Sequence, residues 1–341
     1  MRCVGSAASA RATCGAPEGQ EPLDICRVSC HDDGGMKRNV VLGVAMVLAA
    51  AMLWGTTGTA QSFAPLSLSP YWVGALRLGV AALFFWPMLL IADRHAVTAE
   101  GLRRLPWPGI CLAAVCMCAY NLTFFAGVRA SGVAIGTTVA LGSGPVWAGL
   151  LQSVLNKVLP TRSWWLGTSI AVVGVVAIAT SSGVGSTVSA GGVLLCLLAG
   201  LLYAIYALVN QGMVNVASPA AVTTTVFTLA GLLAIPGAVT MAGTPQLQAS
   251  DATIVLWLGV VSTGVAYLLF SHALQHVSAA TGVALALAEP VTAFALAIIV
   301  VGERPGWVGT LGLAAVLAGL WVVVSSEFTS DRGKSGSRIT A

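Results

Sequence analysis

Apolar residues run for about twenty positions at a time along most of this chain, separated by short polar links. A helix needs roughly 17–25 such residues to cross a hydrocarbon core. Ten stretches meet that length: 39–60, 70–92, 107–127, 133–153, 164–181, 191–211, 219–241, 252–272, 278–301 and 306–325. Ten-residue segments of alternating hydrophobicity, the mark of a transmembrane barrel, are absent. The pattern predicts an all-α membrane protein with ten transmembrane helices.

The second five stretches repeat the first five. Ser69-Pro70, Pro87 and Trp54 return as Ser218-Pro219, Pro236 and Tyr203, at an offset of 149. Ala119-Tyr120 and Ser131 return as Ala266-Tyr267 and Ser278 at 147, and Pro145, Pro160, Gly167 and Gly174 as Pro290, Pro305, Gly312 and Gly319 at 145. Each repeat holds an odd number of spans, so the second copy enters the membrane upside down relative to the first. Two inverted five-helix repeats, 39–181 and 191–325, follow, related by a pseudo-two-fold axis in the membrane plane.

Composition agrees. Charged residues make up 8% of the chain, against roughly 25% in soluble domains. With the N-terminus inside, the inner side receives Lys37, Arg38, Arg94, Arg103, Arg104, Lys157, Arg162, Arg332, Lys334 and Arg338, and the outer side Arg129 and Arg304. That bias predicts a multi-pass protein of the cell (inner) membrane with both termini cytoplasmic. It also accounts for the net charge of +4, which then requires no nucleic-acid partner. Residues 1–35 are polar, carry four of the eight cysteines and lack the apolar core of a signal peptide. They read as a disordered tail or an over-extended start before Met36-Lys37-Arg38, and 326–341 reads as a polar C-terminal tail.

Of 16 basic and 12 acidic residues, Arg77 and Glu289 alone fall inside the predicted spans. A charge at the bilayer centre costs about 2.5–3.5 kcal/mol on insertion scales, so each needs a partner or a wet cavity. Glu289 precedes Pro290 in the middle of its span; its repeat mate is Gly144, before Pro145. A proline withdraws a helix donor, so Pro145 and Pro290 mark places where a span can open. Glu289 is therefore a candidate for binding a substrate ammonium or carrying a coupled proton, against the plainer role of bonding the loosened backbone. Arg77 lies in the outer third of its span, where anchoring at the interface competes with a contact to Glu303 or a substrate carboxylate. Glu303 itself reads as a helix cap or a partner of Arg304. Trp54, Tyr120, Asn121, Tyr203, Tyr206 and Tyr267 sit deep within spans, whereas belt aromatics sit at the ends, and they are the candidate substrate-binding residues. Tyr120 and Tyr267, matched across the repeats, could face each other over one central cavity; Asn121, one position on, points about 100° away from Tyr120. His272 and His276 have metal-pair spacing but no third ligand, so no metal and no cofactor is expected.

The ordered set Trp54-Gly55, Ser69-Pro70…Arg77…Pro87, Ala126…Ser131, Pro145, Gly167…Gly174, Ala273-Leu274…Ser278, Glu289-Pro290, Gly302-Glu303 and Gly312…Gly319 resembles the EamA-type, ten-span members of the drug/metabolite transporter superfamily. The resemblance covers 39–325. It implies two inverted EamA domains around a central cavity, and movement of small metabolites such as amino acids. The first repeat departs from it by carrying Asn156-Lys157 where Gly302-Glu303 stands in the second.

No G-x-x-x-x-G-K-[ST] loop is present, so gradients rather than ATP would drive transport. The spans hold no aspartate pair and no H-E-x-x-H, so an intramembrane enzyme is not expected. The reading is a secondary transporter, an exporter of amino-acid-like neutral or zwitterionic solutes by alternating access. The alternatives are efflux of cationic drugs and a passive facilitator or channel. Its partners are the small-molecule substrate and the lipid bilayer; ten spans suffice for a whole cavity, and a homodimer is compatible with the sequence.

Overall fold

The computed structural model describes residues 22–63, 68–155, 157, 159–181, 189–245, 248–302 and 306–338. Ten helical segments are long and apolar enough to cross a membrane: Arg38–Ala60, Pro70–Ala92, Trp107–Ser131, Ile135–Leu155, Arg162–Ser181, Ala190–Val214, Pro219–Ala242, Asp251–Ala273, Ala279–Val300 and Trp307–Phe328, numbered spans 1 to 10 in that order. Each overlaps the stretch expected from the sequence, and no strand occurs among the described residues. The first helix is Pro22–Phe63 and the last Trp307–Arg338. Helical backbone thus runs through 22–35 and 326–338, where tails were expected. A helix satisfies its own hydrogen bonds and can extend past its apolar stretch. Residues 1–21 and Glu303 lie outside the described residues.

The duplication is visible in local chemistry. Spans 2 and 7 start alike: the hydroxyls of Ser69 and Ser218 accept hydrogen bonds from the N–H of Trp72 and Ala221, with Pro70 and Pro219 in the first turn. Serine satisfies an otherwise orphaned helix donor, and proline costs nothing where no donor is needed. Both helices then absorb an internal proline, Pro87 and Pro236.

Spans 5 and 10 cross at two glycine pairs. A Cβ on Gly174 would stand 2.6 Å from the Gly312 carbonyl oxygen, and one on Gly312 2.7 Å from that of Gly174. Gly167 and Gly319 oppose each other the same way, at 2.7 and 2.5 Å. Lipid tails are as apolar as leucine, so helices in a bilayer associate through this kind of close backbone approach. Elsewhere Gly127 on span 3 admits Cys196 of span 6, and Gly231 on span 7 meets the backbone of Gly79 on span 2.

Gly174→Leu should lower the melting temperature of the purified protein, because overpacking at a fixed interface costs about 1–3 kcal/mol. Gly212→Ala, where a Cβ meets nothing within 4 Å, should leave it unchanged or raise it. Equal melting curves for wild type and Gly174→Leu would contradict the crossing.

Candidate functional site

A cavity of roughly 1320 Å³ occupies the middle of the bundle. Its walls come from spans 1 to 6, 8 and 9, so both repeats contribute. The lining reaches the last turns of spans 1, 3, 5 and 9 and the first turns of spans 2 and 4, which places the mouth at that end of the bundle.

Aromatic rings make the inner wall. Tyr120 of span 3 stands 5.6 Å from Tyr203 of span 6, and Tyr267 of span 8 stands 5.1 Å from Trp54 of span 1. These two contacts are repeat mates, since Trp54 corresponds to Tyr203 and Tyr120 to Tyr267. Trp54 and Tyr203 meet edge-on across the pseudo-axis at 6.3 Å. The matched tyrosines therefore bind the rings of the opposite repeat rather than each other. All four line the cavity. Trp54 is 6% exposed, and its indole N–H and the Tyr203 hydroxyl find no partner among the described residues. Buried polar groups are rarely left so, and both belong to residues of the cavity wall.

Span 9 changes its winding beside Glu289-Pro290. Its first helix, Ala279–Leu285, tightens into a 3₁₀ turn at Ala286–Ala288 and restarts as Glu289–Leu296, with Pro290 in the new first turn. Span 1 packs directly on the restart, where a Cβ on Gly55 would lie 2.7 Å from the Glu289 carbonyl oxygen. The Glu289 side chain is half-buried and faces the cavity, and no hydrogen bond or ion pair ties it to a described residue. Arg77 lines the same cavity and donates from Nε to the Thr263 hydroxyl at 2.9 Å. It faces solute space rather than the lipid interface.

Two candidate residues stand elsewhere, and one expected break does not occur. Asn121 is buried and donates back to the Met117 carbonyl at 2.9 Å. Tyr206 sits one layer behind the wall, 5.9 Å from Tyr267 and 6.4 Å from Phe227. Neither lines the cavity. The helix Val133–Leu155 runs through Pro145 without interruption, correcting the expectation of a break there. One missing bond does not end a helix, and the carbonyl left without its donor is that of Leu141, a cavity-lining residue. Lining residues that the sequence reading passed over include Thr57, Phe124, Phe125, Arg129, Thr137 and Thr138. Phe124 follows Tyr120 by one helical turn, 5.8 Å away, and that spacing was a usable signal. His272 lies outside the cavity, with Nδ1 2.8 Å from the Leu268 carbonyl oxygen.

At the opposite end, which the cavity lining does not reach, span 9 starts in a shared cap. The N–H groups of Ser278, Ala279 and Ala280 bond to Glu327 Oε1 of the last helix (3.1 Å), Gln211 Oε1 of span 6 (3.1 Å) and Gln152 Oε1 of span 4 (3.2 Å). The next N–H, on Thr281, bonds to Ser278 Oγ, and the Thr281 hydroxyl donates to Glu327 Oε2 at 2.6 Å. Three helices thus supply acceptors to one helix start, filling donors that a lone helix leaves open. Beneath the aromatic wall, Ser271 Oγ accepts from Asn210 Nδ2 (3.0 Å) and from the Thr223 hydroxyl (2.9 Å).

Comparison with known proteins agrees with this architecture. The chain matches the EamA-like transporter family twice, over residues 41–180 and 190–325. It is 36% identical over 278 residues to the uncharacterized transporter YwfM of Bacillus subtilis (strain 168), covering 81% of this chain and 92% of that protein. A permease-like protein of the same organism, YdzE, is 32% identical over 72 residues, 21% of this chain and 92% of its own length. A solved crystal structure superposes with a TM-score of 0.73 at 17% identity, covering 82% of this chain and 95% of the other, a likeness of fold.

Gln211→Ala should lower the melting temperature, since an orphaned buried N–H costs about 1–3 kcal/mol. Glu327→Gln, which keeps an acceptor for Ser278, should cost less. Identical melting for wild type and Gln211→Ala would show that the cap carries no stability.

Proposed function

The chain belongs to the EamA-like transporter family, and we propose that it is a secondary carrier exporting small zwitterionic solutes, amino acids foremost, by alternating access. The observation that carries this reading is the placing of a carboxyl (Glu289), a guanidinium (Arg77) and an aromatic wall on one cavity. An ammonium group beside Glu289 and the ring faces gains ionic attraction, with cation–π attraction worth about 0.5–2 kcal/mol. Polyanions would meet a carboxylate, and a wholly apolar solute would leave both charged groups without a partner.

The cavity's blind end speaks for a carrier over a channel. Its lining reaches one end of the bundle, while the other end, where span 9 is capped by three helices, lies outside it. Under the orientation read from the basic residues, the mouth faces outward, both termini lie in the cytoplasm, and the protein sits in the cell membrane. Exchanging the roles of two inverted repeats would open the capped side and close the mouth, the usual logic of such pairs. A solute loaded from the cytoplasm would then be released through the geometry described here. Efflux of cationic drugs is the second reading, favoured by Glu289 and the rings together, and it differs in leaving Arg77 without a role.

Glu289 is also the group through which a proton gradient would act, as acids within spans do in many transporters. In proteoliposomes, wild-type flux should be saturable, show counterflow and vary with pH; Glu289→Gln should lose the pH variation and most of the flux. Unchanged rate and pH profile in Glu289→Gln would remove this residue from the mechanism. Metabolite profiling of medium from overproducing cells identifies the solute.

A further inference from the structure

Span 8 does not cross as a plain α-helix. Between Ala249–Leu256 and Ala266–Ala273 its backbone widens into a π-helical stretch, Trp257–Val265. Such widened turns gather at functional sites, because they re-aim side chains that a regular helix would place elsewhere. This stretch is held from two sides. Span 1 grips it through the hydroxyl pair Thr57–Ser262 at 2.7 Å and the bond from Trp257 Nε1 to the Thr56 hydroxyl at 3.1 Å. Span 2 enters over its glycines: Val80 lies against Gly259, and a Cβ on Gly264 would stand 2.6 Å from Phe84.

The side chain so aimed is Thr263, which is fully buried. Its hydroxyl donates to the Leu258 carbonyl, five residues back, at 2.7 Å. With its hydrogen committed there, its oxygen can only accept, and what it accepts is the Nε–H of Arg77 at 2.9 Å. A guanidinium carries five N–H donors in a rigid plane. Holding Nε fixes that plane and leaves the two terminal nitrogens forming the free edge. Arg77 lines the cavity, and no carboxylate among the described residues forms an ion pair with it.

The repeat supplies a comparison within the molecule. By the offsets of 149 and 147, the mates of Arg77 and Thr263 are Val226 and Cys116. Both are buried and apolar in character, and Cys116 lies in an uninterrupted helix, Trp107–Ser131. The cation of the first repeat and the π stretch and hydroxyl of the second thus meet at one place, and none of the three is repeated at its mate, as expected of parts of one device.

We propose that Arg77 is the anchor for the carboxylate of the transported solute, received end-on by its two terminal nitrogens, and that Thr263 is its positioning residue. This rests on the zwitterion reading above and names the group that completes it: Glu289 and the rings take the ammonium end, Arg77 the carboxylate end. A planar fork matches a carboxylate bidentately, which a lysine at the same place would not.

The test uses the full-length protein in lipid nanodiscs and three probes that share one ring: phenylalanine, phenethylamine without the carboxylate, and 3-phenylpropionate without the amine. Binding is followed by tryptophan fluorescence and by thermal shift. Arg77→Gln should weaken phenylalanine and phenylpropionate by roughly 10- to 100-fold, the range of a charge-assisted hydrogen bond, and leave phenethylamine within about twofold. Thr263→Val, near in shape, should reproduce the same selectivity change at about tenfold by freeing the guanidinium. Thr263→Ser, which keeps the hydroxyl, should restore it. Equal weakening of all three probes in Thr263→Val, or unchanged phenylalanine binding, overturns the anchor. If Glu289→Gln abolishes amine binding while Thr263→Val changes nothing, the anchor fails and the zwitterion reading stands. A wild-type protein that responds to none of the three probes overturns both.

Discussion

A backbone that crosses a bilayer finds no water to complete its hydrogen bonds, so every N–H and C=O must be satisfied within the protein. That constraint makes most of this chain plain helix and decides where it can be anything else. Irregular backbone appears in spans 8 and 9, at the π stretches Trp257–Val265 and Ala297–Val301 and the 3₁₀ turn Ala286–Ala288. Each is covered by another helix or opens on the central cavity. The cap at Ser278–Thr281 answers the same demand at a helix start, with acceptors borrowed from spans 4 and 6 and the last helix.

The inverted frame sets the aromatic wall, and departures from symmetry set its chemistry. The pairs Tyr120–Tyr203 and Tyr267–Trp54 obey the two-fold relation closely, at 5.6 and 5.1 Å. The charged groups do not obey it at all. Glu289 has a glycine for a mate and Arg77 a valine, so the cavity carries opposite charges on a wall that is otherwise nearly even-handed.

The fold was readable because its rules are local. Span number came from apolar length and inversion from the odd count per repeat; the Ser-Pro pairs, read as marks of the repeat, turn out to cap the starts of spans 2 and 7. Cavity residues were readable where a charge, a proline or a ring deep in a span drew attention. Glu289-Pro290 was such a case, and span 9 tightens into a 3₁₀ turn just before it. Depth along a span, however, says nothing about which face a residue occupies, and Asn121 and Tyr206 were deep but turned away. Pro145 looked like the twin of Pro290, yet its helix runs on; a proline permits a break without requiring one. The π stretch left no trace in the sequence, because an extra residue in a turn is set by the neighbours that grip it. Thr263 therefore stayed unseen until its partner Arg77 was placed.

The glycine crossing of spans 5 and 10 has a genetic side. Gly174 opposes Gly312 and Gly167 opposes Gly319, while the duplication equates Gly167 with Gly312 and Gly174 with Gly319. The two-fold operation thus turns one contact into the other, and each copy's glycine is checked against its counterpart copy. After the ancestral half was doubled, neither copy could enlarge these positions alone, since the other's backbone already filled the space. Elsewhere the halves differ, one bringing a cation and the other an acid to the cavity; along this seam they stay alike.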